Sequence, residues 1–300
     1  MDSVRTLADL ESLAPTGTTL AVLGHPIKHS ISPAMHHAAL AEMARTHPRF
    51  ADWSYGRFDV PPVDLPEALR RLHALGFRGL NLTVPHKVLA FDAMTAVDPA
   101  VQPIGAVNTL RWTPAGWHGY NTDGHGLSSG IRETLGLELR GATVVLLGAG
   151  GAARGAAVEC LQRGCASLWI ANRTPENLAT LLTLLRPLAD GIPLRGFAPA
   201  LVPADLPPGA LVINATSAGL KAGDPPPVDL AALPNPIGVY DMVYNPPMTS
   251  LLNQAAERGI AWGNGLSMLI HQGARALEIW TETSVPIEAM RAAALLALKR

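Results

Sequence analysis

Residues 143–154, TVVLLGAGGAAR, constrain the fold more than any other stretch of the chain. Val144, Val145, Leu146 and Leu147 form an apolar run with two β-branched members, which suits a strand buried on both faces of a parallel sheet. Gly148-Ala149-Gly150-Gly151-Ala152-Ala153 follows as a G-x-G-x-x-A turn, and residues 154–161 are helix-prone. Strand, glycine turn and helix in this order make a dinucleotide-binding fingerprint. The first glycine makes the tight turn, the second admits a pyrophosphate, and the small Ala153 lets helix and strand pack closely. Free N–H groups at the helix start then face the phosphates.

The half of the chain before this turn carries polar clusters at strand ends. Residues 19–23 are a short apolar strand running into Gly24-His25-Pro26-Ile27-Lys28-His29-Ser30-Ile31-Ser32-Pro33. Ser32 as N-cap and Pro33 in the first turn open a helix over residues 34–44. Ser30 has no such duty, and two hydroxyls one residue apart beside a helix N-terminus make a neutral site for a small carboxylate. A strand over 53–60 and an amphipathic helix over 65–75, ended by Gly76, come next. Residues 77–84 form another strand, which leads through Pro85 into a helix over 87–94.

That helix opens with Lys87. Lysine is electrostatically disfavoured near a helix N-terminus, and this chain has four lysines beside 19 arginines. Its use here points to a group able to lose a proton, which arginine cannot do. A solvated helix lysine is the alternative. Residues 104–112 read as a strand carrying Gly105-Ala106-Val107-Asn108-Thr109, and Asn121-Thr122-Asp123 precede a helix over 124–135. The serine pair, the Thr83/Lys87 pair and the Asp123 cluster all sit at strand-to-helix junctions. Open α/β sheets collect ligands at such strand ends, so the three clusters are expected to share one cleft.

Composition removes other classes. The 300 residues suffice for two domains, 48% are apolar and 16% charged, and the net charge of −1 comes without any block of like charges. Nothing here points to nucleic acid or to an anionic membrane surface. The opening MDSVRTLADLESLAP has acidic residues where a secretory signal carries its apolar core, and no run reaches the length of a membrane span. Cys160 and Cys165 lie five apart with no second pair, so no metal site or disulfide framework is expected, and a reducing cytoplasm is the expected location.

Four stretches carry a resemblance. They are His29-Ser30-Ile31-Ser32-Pro33, Asn81-Leu82-Thr83-Val84-Pro85-His86-Lys87, Gly105-Ala106-Val107-Asn108-Thr109 and Gly119-Tyr120-Asn121-Thr122-Asp123-Gly124. Their order and spacing resemble the signature motifs of shikimate dehydrogenases. The resemblance implies carboxylate contacts from Ser30 and Ser32, ring-hydroxyl contacts from Thr83, Asn108 and Asp123, and Lys87 as the group that exchanges the proton. Lys87 and Asp123 are thereby the expected catalytic pair. One departure is His37, where the family usually has asparagine. It falls on a helix, where a packing consequence is expected rather than lost chemistry.

Beyond the glycine turn the likeness continues. Residues 167–171 are the second strand of the nucleotide unit and end in Asn172-Arg173-Thr174. An acidic residue in this region accepts from the ribose hydroxyls of NAD; an arginine suits a 2′-phosphate, hence NADP. The family often adds a second basic residue three positions later, where this chain has Asn177, which weakens the discrimination against NAD. A strand over 211–213 ends in Asn214-Ala215-Thr216-Ser217-Ala218-Gly219, similar to the family's loop at the nicotinamide half. Val239-Tyr240-Asp241-Met242-Val243-Tyr244-Asn245-Pro246 matches a further signature, placing Met242 near the cofactor and Tyr244 near the substrate carboxylate. Gly265 joins the cofactor set with Gly148, Ala149, Gly150, Gly151, Ala152, Asn172, Arg173, Thr174 and Thr216. Residues 249–258 are helical, and 266–281 show helical periodicity with Gln272 off the apolar stripe. In the family the matching glutamine reaches the substrate.

The resemblance implies an α/β protein of two domains with a cleft between. Residues 1–121 with C-terminal helices 265–300 form the substrate domain, and 122–264 the Rossmann-like NADP domain. The implied reaction is reversible reduction of 3-dehydroshikimate to shikimate by a monomer or homodimer. An NAD-preferring quinate/shikimate dehydrogenase is the alternative of the same class, and a non-catalytic ligand-binding regulator the alternative of another.

Overall fold

The computed structural model describes residues 3–221 and 223–299. In chain order the elements are β1 Val4–Arg5, β2 Thr19–Gly24, α1 Ser32–Thr46, β3 Ser54–Asp59, α2 Leu65–Ala74, β4 Gly79–Leu82, α3 His86–Leu89, β5 Ala96–Val97, β6 Thr109–Thr113 and β7 Gly116–Tyr120. There follow α4 Asp123–Leu135, β8 Thr143–Leu147, α5 Gly151–Gln162, β9 Ser167–Ala171, α6 Pro175–Leu185, β10 Leu194–Phe197, β11 Leu211–Asn214, β12 Gly238–Asp241, α7 Ser250–Glu257, β13 Ala261–Asn264, α8 Leu266–Thr281 and α9 Ile287–Leu298. Backbone contacts divide the chain into two units, with breaks between Thr122 and Asp123 and between His271 and Gln272.

The first unit runs to Thr122 and resumes at Gln272. Among its described residues the strands form one sheet in the order β1-β3-β2-β4-β6-β7-β5. β1, β3, β2 and β4 are mutually parallel, whereas β6 runs antiparallel to both β4 and β7. Strand alternation sorts the side chains between the two faces. Leu23, Phe58, Leu80, Leu82 and Leu110 pack with Leu69 and Leu72 of α2 in one apolar core. Tyr55, Asn81 and Thr109 point to the opposite face, where α1 and α9 pack together. Gly79 is required on that face because a Cβ would collide with the Trp280 indole of α8.

The second unit, Asp123 to His271, holds an all-parallel sheet in the order β10-β9-β8-β11-β12-β13. Numbered from β8 this is 3-2-1-4-5-6, the doubly wound dinucleotide-binding order with its switch point between the first and fourth strands. Val144 to Leu147 are at most 1% exposed. Fully burying each such side chain contributes about 1.5–3 kcal/mol, which makes this run a central strand.

Several expected elements shift. The strand expected over 104–112 shrinks to β6, because Gly105 turns the chain at φ +59 and its N–H donates back to the Val101 carbonyl. The helix expected over 87–94 is the single turn α3, followed by a separate 3₁₀ turn at Phe91–Ala93 before Met94 becomes extended. Lys87 therefore lies on a four-residue helix. The dipole argument made for it has little to act on, since a macrodipole needs aligned turns. At α1 the first i→i−4 bond runs from Met35 N–H to the Ile31 carbonyl, so Ser32 is the first helical residue rather than the cap. β1, β5, β7, α6, β10, β12 and β13 had no sequence expectation as elements.

Candidate active site

The ends of β2 and β4 in the first unit carry the serine pair and Thr83. Ser30 Oγ accepts a long bond from the Ser32 N–H at 3.4 Å, so Ser30 does have a local structural duty. The loop that bears it is held from below by Arg57 of β3, whose Nη1 donates to the Lys28 carbonyl at 2.8 Å and the Ser30 carbonyl at 3.2 Å. Both serines are half-buried. Thr83 packs its methyl onto Gly24, where any Cβ would collide with it, and its N–H donates to the Leu23 carbonyl at 2.9 Å.

Lys87 is fastened to the next motif by its main chain: the Val107 N–H donates to the Lys87 carbonyl at 2.8 Å. Beside it His86 is fully buried, and burial pushes its imidazole pKa down against a smaller upward pull from the Val60 backbone. One residue beyond Val107, Asn108 is 2% exposed. Its Oδ1 accepts from the Thr122 N–H at 2.8 Å and the Thr109 hydroxyl at 2.9 Å. Its Nδ2 donates to Thr122 Oγ1 at 3.0 Å and, at 3.5 Å, to Gln272 Oε1 at the start of the unit's C-terminal segment. The first unit thus brings Asn108 and Gln272 together from positions 164 residues apart.

Behind this group runs a chain of bonds that sequence reasoning did not assign. Asn81 Nδ2 donates to the Asn108 carbonyl and to Thr109 Oγ1, both at 3.1 Å. That fixes Asn81 Oδ1 as the acceptor of the Tyr55 hydroxyl at 2.7 Å. Burial pushes the Tyr55 hydroxyl pKa well up, with the Ser32 hydroxyl pulling it partly back. His36 stacks on Tyr55 with ring centroids 4.1 Å apart and is itself buried, its pKa pushed down to about 3 by that burial with a smaller push from His37. His37, on the exposed side of α1, accepts the Tyr55 N–H with Nε2 at 3.1 Å. Its consequence is therefore a backbone bond at the strand edge. A lone asparagine in the apolar run Leu80-Asn81-Leu82 was the available signal, because a buried amide needs partners.

In the second unit Asp123 is the half-buried first residue of α4. Gly124 after it lies under the Glu159 side chain of α5, whose carboxylate would have to shift to admit a Cβ. The glycine turn closes β8 at the switch point. Gly148 has φ +114, a conformation that favours glycine, and a Cβ there would sit 3.1 Å from the Ala215 carbonyl and the Thr216 methyl. Gly150 and Gly151 face open space: a Cβ on either meets nothing within 4 Å. Ala149 and Ala152 flank them, and α5 starts at Gly151 with no side-chain cap and no acidic residue in its first turn. An open, backbone-lined helix start of this kind fits a phosphate. Asn172 Nδ2 folds its own loop by donating to the Thr174 carbonyl at 2.9 Å, and Arg173 and Asn177 are exposed beyond β9.

The loops after β11 and β12 complete the set. Thr216 Oγ1 donates to Asn214 Oδ1 at 2.7 Å and accepts the Ala218 N–H at 3.0 Å, so its hydroxyl shapes the loop. Met242 N–H donates to the Asn214 carbonyl at 3.0 Å, and the Met242 carbonyl packs so closely on Gly265 that a Cβ there would collide with it. Tyr244 is half-buried, and burial raises its hydroxyl pKa. Among the described residues no group of His, Cys, Asp or Glu could hold a metal, and no helix is long and apolar enough to cross a membrane.

A family model described as the shikimate dehydrogenase substrate binding domain matches residues 22–110, and one described as the shikimate 5'-dehydrogenase C-terminal domain matches residues 265–295. The chain is 38% identical over 278 residues to shikimate dehydrogenase (NADP(+)) of Methanopyrus kandleri, covering 91% of this chain and 93% of that protein. The crystal structure of shikimate 5-dehydrogenase from Thermus thermophilus, in complex with NADP(H) and shikimate, superposes with a TM-score of 0.80 at 34% identity, covering 93% of this chain and 99% of that one. Quinate dehydrogenase from Corynebacterium glutamicum, in complex with NAD, gives a TM-score of 0.82 at 27% identity, covering 93% and 99%. With identity of this order sustained over nine-tenths of both sequences, the chain belongs to the shikimate dehydrogenase family.

Proposed function

We propose that this chain catalyses the reversible, NADP-dependent reduction of 3-dehydroshikimate to shikimate, a step toward aromatic amino acids. The observation that carries the reading is the fastening of Lys87 to Val107, the residue next to Asn108. The Lys87 carbonyl takes the Val107 N–H, so the proton-exchanging side chain and the amide that pairs with Gln272 belong to one rigid corner. In this reading the first unit is the substrate domain and the second the nucleotide domain. Ser30 and Ser32 anchor the carboxylate with Tyr244, and Thr83, Asn108 and Gln272 hold ring hydroxyls. Lys87 gives a proton to the forming alcohol oxygen in reduction and takes it back in oxidation, while Asp123 orients that hydroxyl.

Gly148, Ala149, Gly150, Gly151 and Ala152 would hold the pyrophosphate of NADP, Asn172, Arg173 and Thr174 its 2′-phosphate end, and Thr216, Met242 and Gly265 its nicotinamide end. NADP, when bound, supplies or accepts the hydride. The protein works in the cytoplasm as a monomer or homodimer. Asn177, exposed where a second cation would sit, favours one further reading, a quinate/shikimate dehydrogenase of the same fold that prefers NAD. Steady-state rates for shikimate and quinate, each with NADP and NAD, test both. The expected result is the highest kcat/KM for shikimate with NADP. No turnover of shikimate with either cofactor would overturn the reading, and a higher kcat/KM with NAD would install the second one.

A further inference from the structure

We propose that Asp241 is a positioning residue, one that fixes the two loops assigned above to the nicotinamide end of the cofactor. The inference rests on that assignment for its functional meaning, but its geometry stands by itself. Asp241 closes β12, is 0% exposed, and among the described residues takes its hydrogen bonds from neutral donors rather than from arginine or lysine. A carboxylate left this dry is tolerated only when donors surround it.

Three donors do. Asn214 Nδ2 donates to Oδ1 at 2.9 Å, the Val243 N–H to Oδ1 at 3.0 Å, and the Thr249 hydroxyl to Oδ2 at 2.7 Å. Each leads to a different element. Asn214, at the end of β11, turns its other atom outward: Oδ1 accepts the N–H and the hydroxyl of Thr216 at 3.0 and 2.7 Å. Thr216 in turn accepts the Ala218 N–H at 3.0 Å. Val243 adjoins Met242 and accepts the Gly265 N–H at 3.1 Å. Thr249 caps α7 by accepting the Leu252 N–H at 3.3 Å. One buried carboxylate therefore sets the Thr216 loop, the Met242 loop and the start of α7 together.

The polarity of the set admits one arrangement. The Val243 N–H can only donate, so Oδ1 must be an acceptor. The Thr216 N–H likewise can only donate, so Asn214 must turn its carbonyl oxygen to Thr216 and its NH2 to Asp241. An asparagine at 241 keeps the volume and the Oδ1 bonds but places an NH2 before the Thr249 hydroxyl, which must reverse. Losing a charge-assisted bond in a buried network weakens local closure roughly tenfold to hundredfold.

The experiment uses the full chain with Asp241→Asn and, as a second variant, Asn214→Ala. The first readout is amide hydrogen exchange of the ligand-free protein at Thr216, Ala218 and Val243. The second is NADPH binding by fluorescence, with KM and kcat for NADP and shikimate. Exchange at the three amides is expected to rise roughly tenfold or more, with β8 and β9 unchanged. NADPH binding should weaken by a similar factor while the shikimate KM stays within about twofold. Folded variants with wild-type exchange at these amides, or exchange raised equally across β8 and β9, overturn the positioning role. If instead the wild-type chain binds no NADPH while the variants still loosen the three amides, the positioning stands and the proposed function fails.

Discussion

His36 gives the structure a pH dependence whose sign and size can be worked out in advance. The imidazole is buried against Tyr55 and Trp280, and its folded pKa is about 3 against an ordinary 6.5. Because the folded value is depressed, the open state takes up a proton that the folded state refuses once pH drops below about 6.5. Stability supplied by the neutral ring is complete above that pH and declines steadily as pH falls toward 3. Each pH unit in this window withdraws about 1.4 kcal/mol, so moving from pH 7.5 to 5 should weaken local closure by about 2 kcal/mol. The assay is native-state amide exchange of α1, corrected for intrinsic rates, at several pH values between 5 and 7.5. His36→Phe keeps a flat ring in the stack without a titrating group, and His36→Gln is a second non-titrating variant. The wild type should lose about 2 kcal/mol of α1 opening free energy relative to either variant over that range. Parallel pH profiles in wild type and variants would refute the reasoning.

Other expectations concern the proposed chemistry. Lys87→Ala should lower kcat about 10²–10⁴-fold, equivalent to about 3–5 kcal/mol in the barrier, and Lys87→Arg should not restore it because arginine stays protonated. Steady-state kinetics on both folded variants check this, and near wild-type kcat in either removes Lys87 from proton transfer. Arg173→Ala should raise the KM for NADP roughly tenfold to hundredfold and leave that for NAD within about twofold; equal losses would show that Arg173 does not read the 2′-phosphate. The double change Ser30→Ala with Ser32→Ala should weaken shikimate binding in calorimetry without altering NADP affinity. An unchanged shikimate Kd would end the anchoring assignment.

Much of the frame could be read directly from residues. The span Ser167–Ala171 and the helix Leu266–Thr281 follow from an unbroken apolar run and from helical periodicity between glycine turns. Residues 104–112 misled because their apolar pattern was continuous across Gly105, and pattern alone does not show a backbone at φ +59. The hairpin of β6 and β7 went unseen since its turn, Thr113-Pro114-Ala115-Gly116, lacks an Asn-Gly or Asp-Gly pair. Edge strands β1 and β5 are two residues each, too short to show a period. At the candidate site, hydroxyls, lysine and glycines stood out by type and spacing. Asn81, Asn214 and Asp241 did not, because their roles depend on partners 26 or 27 residues away, across the sheet.

The bond chain around Asn108 has a thermodynamic consequence for any ligand that meets it. A side chain that is free in the empty protein surrenders about 0.5–1.5 kcal/mol of rotamer freedom when a ligand pins it. Asn108 already spends its oxygen on Thr109 and Thr122 and its nitrogen on Thr122, and its own carbonyl holds Asn81 in place. Association of a ligand at this corner would therefore carry little side-chain entropy loss at Asn108.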